Sequence, residues 1–222
     1  MKRAKLSGVS VVEFAFTMLV MCPLFLGTGV TGINMIRTLQ TIQLARDSGH
    51  MYANPMKDID WSVPANVAII GNLGSSLGLS TTPGQGSAEV ILSKLTYIDA
   101  AACVGAGAAD KNGVPTSKCA NYKSWAFLQR FVIGNPNVHP SDFDSVSGLA
   151  GVTISPSTGD IQQTEAATNP AAKSTFTGIN PDGTAGGDLP SGQVLYLAEA
   201  AGPGFSLPPF SKLNSTYSWA FF

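Results

Sequence analysis

Residues 1–36 read MKRAKLSGVSVVEFAFTMLVMCPLFLGTGVTGINMI, and this stretch decides how the chain is organised. From Val9 to Ile36 the sequence is predominantly apolar over 28 residues and holds one charge, Glu13. A membrane-spanning helix needs roughly 20 apolar residues, so this run predicts one. Three cations precede the run, at Lys2, Arg3 and Lys5. Cations ahead of a span favour a cytoplasmic N-terminus, so we expect the chain beyond residue 37 to lie outside the cytoplasm.

Glu13 is unusual because a carboxylate inside a membrane helix is costly and generally has a partner. It could interact with the helix N-terminal dipole or extend towards the headgroups. Alternatively, a cut after Gly8 would make Val9 a charged N-terminus and Glu13 the fifth residue. In a packed fibre, the carboxylate could then neutralise the amine of a neighbouring subunit. Loss of either charge would leave the other buried and unpaired.

The residues around this position resemble the prepilin signature of the tight-adherence branch of type IV pilins. The matching features are Gly8, Glu13 five residues later, and Phe14 next to it. The continuation GVSVVEFAFTMLVMCPLFLGTGVTG is similar to TadE-like sequences, and TIQLARDSGHMYA resembles the segment that closes the family's long helix. The stretches SGQVLYLAEAAGPGF and STYSWAFF resemble family members more loosely.

The resemblance to TadE/TadG-like proteins implies a minor pilin or pseudopilin rather than an enzyme. Processing by a prepilin peptidase would fall at Gly8 and Val9, and Glu13, Phe14 and Pro23 would serve assembly. The implied partners are other pilin subunits, the Tad assembly machinery and the bacterial inner membrane. The C-terminal domain would face the periplasm or, in a pilus, the exterior. A permanently anchored periplasmic binding or scaffold protein that never polymerises is the main alternative.

The sequence predicts an α+β fold with three parts: a basic leader 1–8, a long helix 9–53 and a β-rich domain 54–222. The helix should be kinked by Pro23 and should end around Gly49 and Asn54. Charged residues make up only 12% of the chain, while Gly (24) and Pro (14) are plentiful, which favours short strands and turns. We expect strands at Ala88–Ile98, Tyr122–Ile133, Val194–Ala200 and Tyr217–Phe222.

Two further expectations concern the second of these strands and the cysteines. Trp125, Phe127 and Phe131 should share one face of the strand 122–133, which should pair antiparallel with 88–98. Cys103 and Cys119 flank a loop, and a disulfide between them fits an oxidising compartment; two free thiols are the alternative. With 3 Cys and 2 His, an ordinary Cys/His metal site is not expected. The net charge of −1 gives no reason to expect nucleic-acid binding.

Three motifs match known sites only superficially. The G-x-G-x-x-G pattern at 27–32 lies inside the predicted span, so we expect no dinucleotide cofactor there. The G-x-S-x-G pattern around Ser76, with His139 later in the chain, would fit a hydrolase if Val67–Ile70 were a strand and a helix followed. The segment 180–188 supplies oxygen ligands, but its spacing fits no known calcium loop. A turn-rich surface loop is the plainer interpretation of the last two.

Overall fold

The computed structural model describes residues 7–54, 63–144, 149–156, 158–177, 193–209 and 211–222. Its helices are α1 (Ser7–Ala53), α2 (Pro64–Leu73), α3 (Ala100–Gly105) and α4 (Gln163–Thr168), and short 3-10 turns occur at Ser75–Leu77 and Pro170–Ala172. Its strands are β1 (Glu89–Tyr97), β2 (Trp125–Gly134), β3 (Val194–Pro203), β4 (Ser206–Leu207), β5 (Ser211–Lys212) and β6 (Ser215–Phe221). The predicted α+β class and all four predicted strands are confirmed. The segment 180–188 lies outside the described residues.

Four strands form one antiparallel sheet in the order β2-β1-β3-β6. The second half of α1 lies across one face of this sheet, mainly against β3 and β6. On the helix side the buried cluster includes Leu44, Leu92 and Ala198. On the other side Leu95, Phe127 and Leu197 pack with residues from α3 and α4. The sheet is therefore covered on both faces, once by α1 and once by the chain between β1 and β3.

A bulge in β2 separates the aromatic residues that the alternating pattern places on one face. Lys94 pairs with Gln129 but Leu95 pairs with Phe127, so Leu128 has no partner in β1. An extra residue in a strand reverses the alternation of side chains beyond it. Phe127 and Trp125 therefore face away from α1, whereas Phe131 packs in the cluster on the helix side. The prediction of a shared face was wrong for Phe131.

Helix α1 continues through Pro23 and Gly49 and ends at Ala53, next to Asn54, as the predicted range 9–53 requires. Gly49 is instead a packing position. A Cβ atom there would lie 2.3 Å from Cε2 of Phe222 and 3.0 Å from Cβ of Ala198. The absence of a side chain allows the helix to approach β3 and the C-terminal aromatic ring closely. At 47 residues, α1 has a length of about 70 Å.

The chain between β1 and β2 is closed by the predicted disulfide, Cys103–Cys119, with a Cα–Cα distance of 5.7 Å. Cys103 lies in α3, which Asp99 caps by accepting a hydrogen bond from the backbone N–H of Ala102. Asn121 then joins this loop to α4, because its amide donates to the carbonyls of Ala166 and Asn169 at 2.7 Å each. The bridged loop is thereby fixed to the second cover of the sheet.

Candidate functional site

The first half of α1 presents apolar side chains to its surroundings on all sides. The most apolar 18-residue window of the helix has none of its residues buried. Within the described residues this is the one helix long and apolar enough to cross a membrane. The exposed large side chains are Val11, Val12, Phe14, Phe16, Met18, Leu19, Val20, Met21, Leu24, Phe25 and Leu26. A contiguous surface of this kind is incompatible with water and marks a membrane or protein contact.

The predicted processing and assembly residues all lie in this exposed half. Helix α1 is described from Ser7 onward, and the Gly8–Val9 bond lies in its helical backbone. Glu13 and Phe14 are exposed, and Phe14 retains 62% of its accessible surface.

The glycine-rich segment 27–32 is regular helix, not a turn between a strand and a helix. The hydroxyls of Thr28 and Thr31 donate to carbonyls one turn back, at Leu24 and Gly27. Such bonds satisfy polar groups that an apolar environment would otherwise leave unpaired. A Cβ atom added at Gly29 or Gly32 would meet nothing within 4 Å. This part of the helix therefore offers small residues and open space to a neighbour.

Asn34 and Arg37 mark the place where the helix joins the domain. The Asn34 amide donates to the Phe205 carbonyl at 3.0 Å, and its oxygen accepts from the Phe205 N–H at 2.8 Å. The Arg37 guanidinium donates to the carbonyls of Pro203 and Gly204 at 3.0 and 2.9 Å. Two polar side chains thus bind the backbone at the end of β3, while exposed apolar side chains continue along α1 at Met35, Ile36 and Leu39.

A second group of chemically notable residues lies on the sheet face opposite α1. Glu199 is buried on β3 and accepts hydrogen bonds from the Tyr217 hydroxyl and, at 2.7 Å, from the Ser141 hydroxyl. Glu89 is buried on β1, and the His139 N–H approaches it at 3.4 Å. Arg130 on β2 forms an ion pair with Asp144. We call this the carboxylate cluster; its members are Glu89, Arg130, Asp144, Glu199 and Tyr217.

Burial governs the acidity of these carboxylates. It raises the pKa of Glu89 to about 7, although the hydrogen bond from His139 and the charge of Arg130 oppose the shift. Burial also raises the pKa of Glu199, against the hydrogen bonds from Tyr217 and Ser141. The pKa of Asp144 is likewise raised by burial, despite its ion pair with Arg130. Burial thus shifts each of the three carboxyl groups towards its protonated form.

The cluster fastens a loop to the sheet and leaves little space for a ligand. The residues concerned, 135–144, follow β2 and bring Ser141 and Asp144 over the sheet. The His139 ring stacks on Tyr217, with centroids 4.2 Å apart. The adjacent depression has a volume of about 130 Å³, well below the roughly 300 Å³ at which small-molecule sites begin. Among the described residues, no group of three His, Cys, Asp or Glu is arranged to hold a metal ion.

The serine motif around Ser76 lacks the geometry of a nucleophile elbow. Val67–Ile70 belongs to α2 and is not a strand, and Ser76 lies in the 3-10 turn Ser75–Leu77. The neighbouring Leu77 packs in the cluster on the helix side of the sheet. His139 lies on the opposite side, where its Nδ1 is 2.6 Å from the Pro140 carbonyl. The structure does not bring this serine and this histidine together.

The sequence prediction missed the carboxylate cluster. A signal was present, because Glu89 and Glu199 interrupt runs that otherwise predict fully buried strands. A buried carboxylate requires partners. The loop supplies His139, 50 residues from Glu89, and Ser141, 58 residues from Glu199. No protein-family model, curated protein or solved structure matches the chain.

Proposed function

We propose that the chain is a minor pilin or pseudopilin of the TadE/TadG kind, anchored and assembled through the first half of α1. One observation carries the proposal: a single helix is largely exposed and predominantly apolar in its first half and forms part of the domain core in its second. Such a helix joins a membrane anchor rigidly to a folded domain. It can also exchange lipid for neighbouring helices without any change in the domain.

The exposed half suits both of these environments. Lipid tails and the side chains of packed helices are similarly apolar, so hydrophobicity alone does not favour one over the other. Small residues then favour helix association, because they let backbones approach closely. Gly29 and Gly32, with open space around them, supply this property. The helix is thus suited to residence in a bilayer and to packing in a fibre.

Glu13 supplies the proposed registry between subunits. After cleavage at Gly8, the Val9 amine of one subunit and the Glu13 carboxylate of another would meet in a dry helical core. An unpaired charge there costs several kcal/mol, on the order of 3–5 when one partner of a buried pair is removed. An uncleaved subunit lacks the amine and would be excluded. Phe14 and the kink expected at Pro23 would help to shape the contact.

The disulfide supports the proposed orientation. Disulfides form in oxidising compartments such as the bacterial periplasm, and the Cys103–Cys119 bridge lies in the domain that follows α1. The three cations at the N-terminus favour the cytoplasmic side. Both features support an inner-membrane protein with a periplasmic domain, whose partners are other pilin subunits, a prepilin peptidase and the Tad assembly machinery.

Mass spectrometry of the protein from its native membrane tests the processing step. We expect an N-terminus at Val9 in cells that contain a prepilin peptidase, and at Met1 in cells that lack it. A Gly8→Leu variant should remain uncleaved, whereas a Ser7→Ala variant, changed one residue away, should be processed. Retention of Met1–Gly8 in peptidase-competent cells would favour the permanently anchored scaffold protein instead.

A Glu13→Gln variant tests the proposed charge pairing separately. It keeps the size of the side chain and removes its charge, so we expect normal cleavage and membrane insertion but loss of incorporation into sheared pili. Thr17→Ala is the matched control, because the Thr17 hydroxyl only donates to the Glu13 carbonyl within the helix. If Glu13→Gln is cleaved and assembles as well as the control, the charge pairing is wrong.

A further inference from the structure

The end of β3 runs along α1 towards the exposed apolar half of the helix. Ala198 lies beside Gly49, and Gly202 beside Thr41. Further on, Gly204 accepts from Arg37, and Phe205 is bonded to Asn34. As the chain advances from 198 to 205, its contacts on α1 move back from residue 49 to residue 34. Strand β3 thus runs antiparallel to α1, and the residues that follow it continue in the direction of the span.

The residues that follow form a small hairpin of β4 and β5. Gly204 closes it by donating its N–H to the Asn214 carbonyl at 3.0 Å. Strand β5 lies against α1. Val30, one turn before Asn34, is only 5% exposed, whereas Ile33 on another side of the helix is 41% exposed. The contact of β5 with α1 and the burial of Val30 together indicate that the hairpin extends below the level of Asn34 on one side of the helix.

A span that occupies residues 11–33 would place Asn34 at the outer boundary of the bilayer. Residues 11–33 of a helix extend about 34 Å, which is close to the roughly 30 Å thickness of the hydrocarbon core. Asn34 and Arg37 have their polar groups bonded to the backbone of residues 203–205, as a position near this boundary requires. A hairpin that extends below Asn34 must then lie at the level of the lipid headgroups.

The amino-acid composition of the hairpin suits the headgroup region of a membrane. Residues 205–213 read FSLPPFSKL, with no carboxylate and a single cation. Pro208 and Pro209 are exposed, and Leu213 keeps 38% of its accessible surface. We propose that the β4–β5 hairpin inserts into the headgroup region of the membrane that α1 spans, as a second contact that fixes the domain against the bilayer surface. This inference rests on the membrane anchoring in the proposed function.

Nitroxide labels at single cysteines test the position of the hairpin. The full-length chain would carry Cys22→Ser, keep its disulfide, and be reconstituted in vesicles of phosphatidylethanolamine and phosphatidylglycerol. The hairpin label is placed by Ser206→Cys, and Leu213→Cys gives a second reading in case the first variant fails to fold. Phe25→Cys, at a residue 65% exposed in the apolar half of α1, serves as the lipid reference. Val114→Cys, 57% exposed in the disulfide-closed loop at the other end of the sheet, serves as the water reference.

Collisions with oxygen, which concentrates in lipid, are compared with collisions with a water-soluble nickel chelate. We expect the oxygen-to-nickel ratio at residues 206 and 213 to be several-fold above that at residue 114 and below that at residue 25, whatever the protein density. A ratio equal to that at residue 114, with residue 25 in lipid, overturns the hairpin contact and leaves the anchor intact. A water-like reading at residue 25 overturns both. Shielding from both reagents, with spin–spin broadening that increases with protein density, would mean that a second copy covers the hairpin, and would also overturn the proposal.

Discussion

The stability of the domain should fall as pH rises through neutrality, and Glu89 should be a main cause. Burial raises the pKa of Glu89 from 4.5 to about 7 in the folded chain. Between these values the folded state holds a proton that the unfolded state has released, so folding is favoured by acid. The stabilisation is complete below pH 4.5 and is lost as pH rises through 7. At about 1.4 kcal/mol per pKa unit, the loss is roughly 3 kcal/mol.

The other charged groups that face Glu89 determine how much of the pH dependence of stability remains when its charge is removed. Arg130 opposes the shift, whereas Glu199 and Asp144 have pKa values raised by burial and act in the same direction as Glu89. We therefore expect Glu89→Gln to reduce the slope of stability against pH without abolishing it. The amide is neutral at every pH, so the variant should gain most over the wild type at pH 8 and least at pH 5.

Urea unfolding of the full-length chain in detergent micelles, followed by near-ultraviolet circular dichroism at pH 5, 6, 7 and 8, measures this slope. Glu165→Gln is the matched control, because it makes the same chemical change at a half-buried residue of α4, away from the cluster. The control should keep the wild-type slope. A wild-type stability that is flat or rises from pH 5 to pH 8 would refute the reasoning, as would an unchanged slope in Glu89→Gln.

Two further predictions concern packing and cross-linking. Replacing both Cys103 and Cys119 by serine should lower the free energy of unfolding by about 3 kcal/mol, because opening a loop of this length increases the entropy of the unfolded chain. The urea midpoint measures the loss. As a control, the midpoint of the variant should equal that of the reduced wild type. Gly49→Ala should destabilise the domain by about 1–3 kcal/mol through overpacking against Phe222, although alanine is the better helix former. Gly29→Ala, where a Cβ atom meets nothing within 4 Å, is the control and should not destabilise; equal effects of the two substitutions would contradict the packing argument.

The sequence predicts the long helix and the main strands well because their patterns are local. The apolar run after Val9 predicts a helix by its length, and the β-branched and aromatic residues of β1 predict a strand by their composition. The faces of β2 were not predictable in the same way, because the bulge at Leu128 depends on the partner strand. Gly49 shows the same limit: a glycine near a helix end indicates a cap, and its contact with Phe222 arises 173 residues later in the chain.

The candidate sites show the same difference between local patterns, which the sequence reveals, and contacts between distant residues, which it does not. Glu13 is recognisable because a charge in an apolar run is conspicuous in any context. The carboxylate cluster was missed because each member has an ordinary sequence environment except Glu89 and Glu199, and their partners come from a turn-rich loop. Only the antiparallel pairing of β1 with β3 brings these two carboxylates to one face of the sheet.

The pairing of α1 with the last strands also sets the order in which the protein can fold during synthesis. The helix emerges first, but its main partners β3 and β6 are the last long strands to be made. A chain extended only to residue 193 leaves Leu44, Ala45 and Thr41 without the surfaces that bury them in the finished domain. The domain therefore stays unfinished, with the buried face of α1 uncovered, until β3 and β6 have been synthesised. A chain terminated before β3 and β6 cannot close the sheet against α1 and remains open to proteolysis.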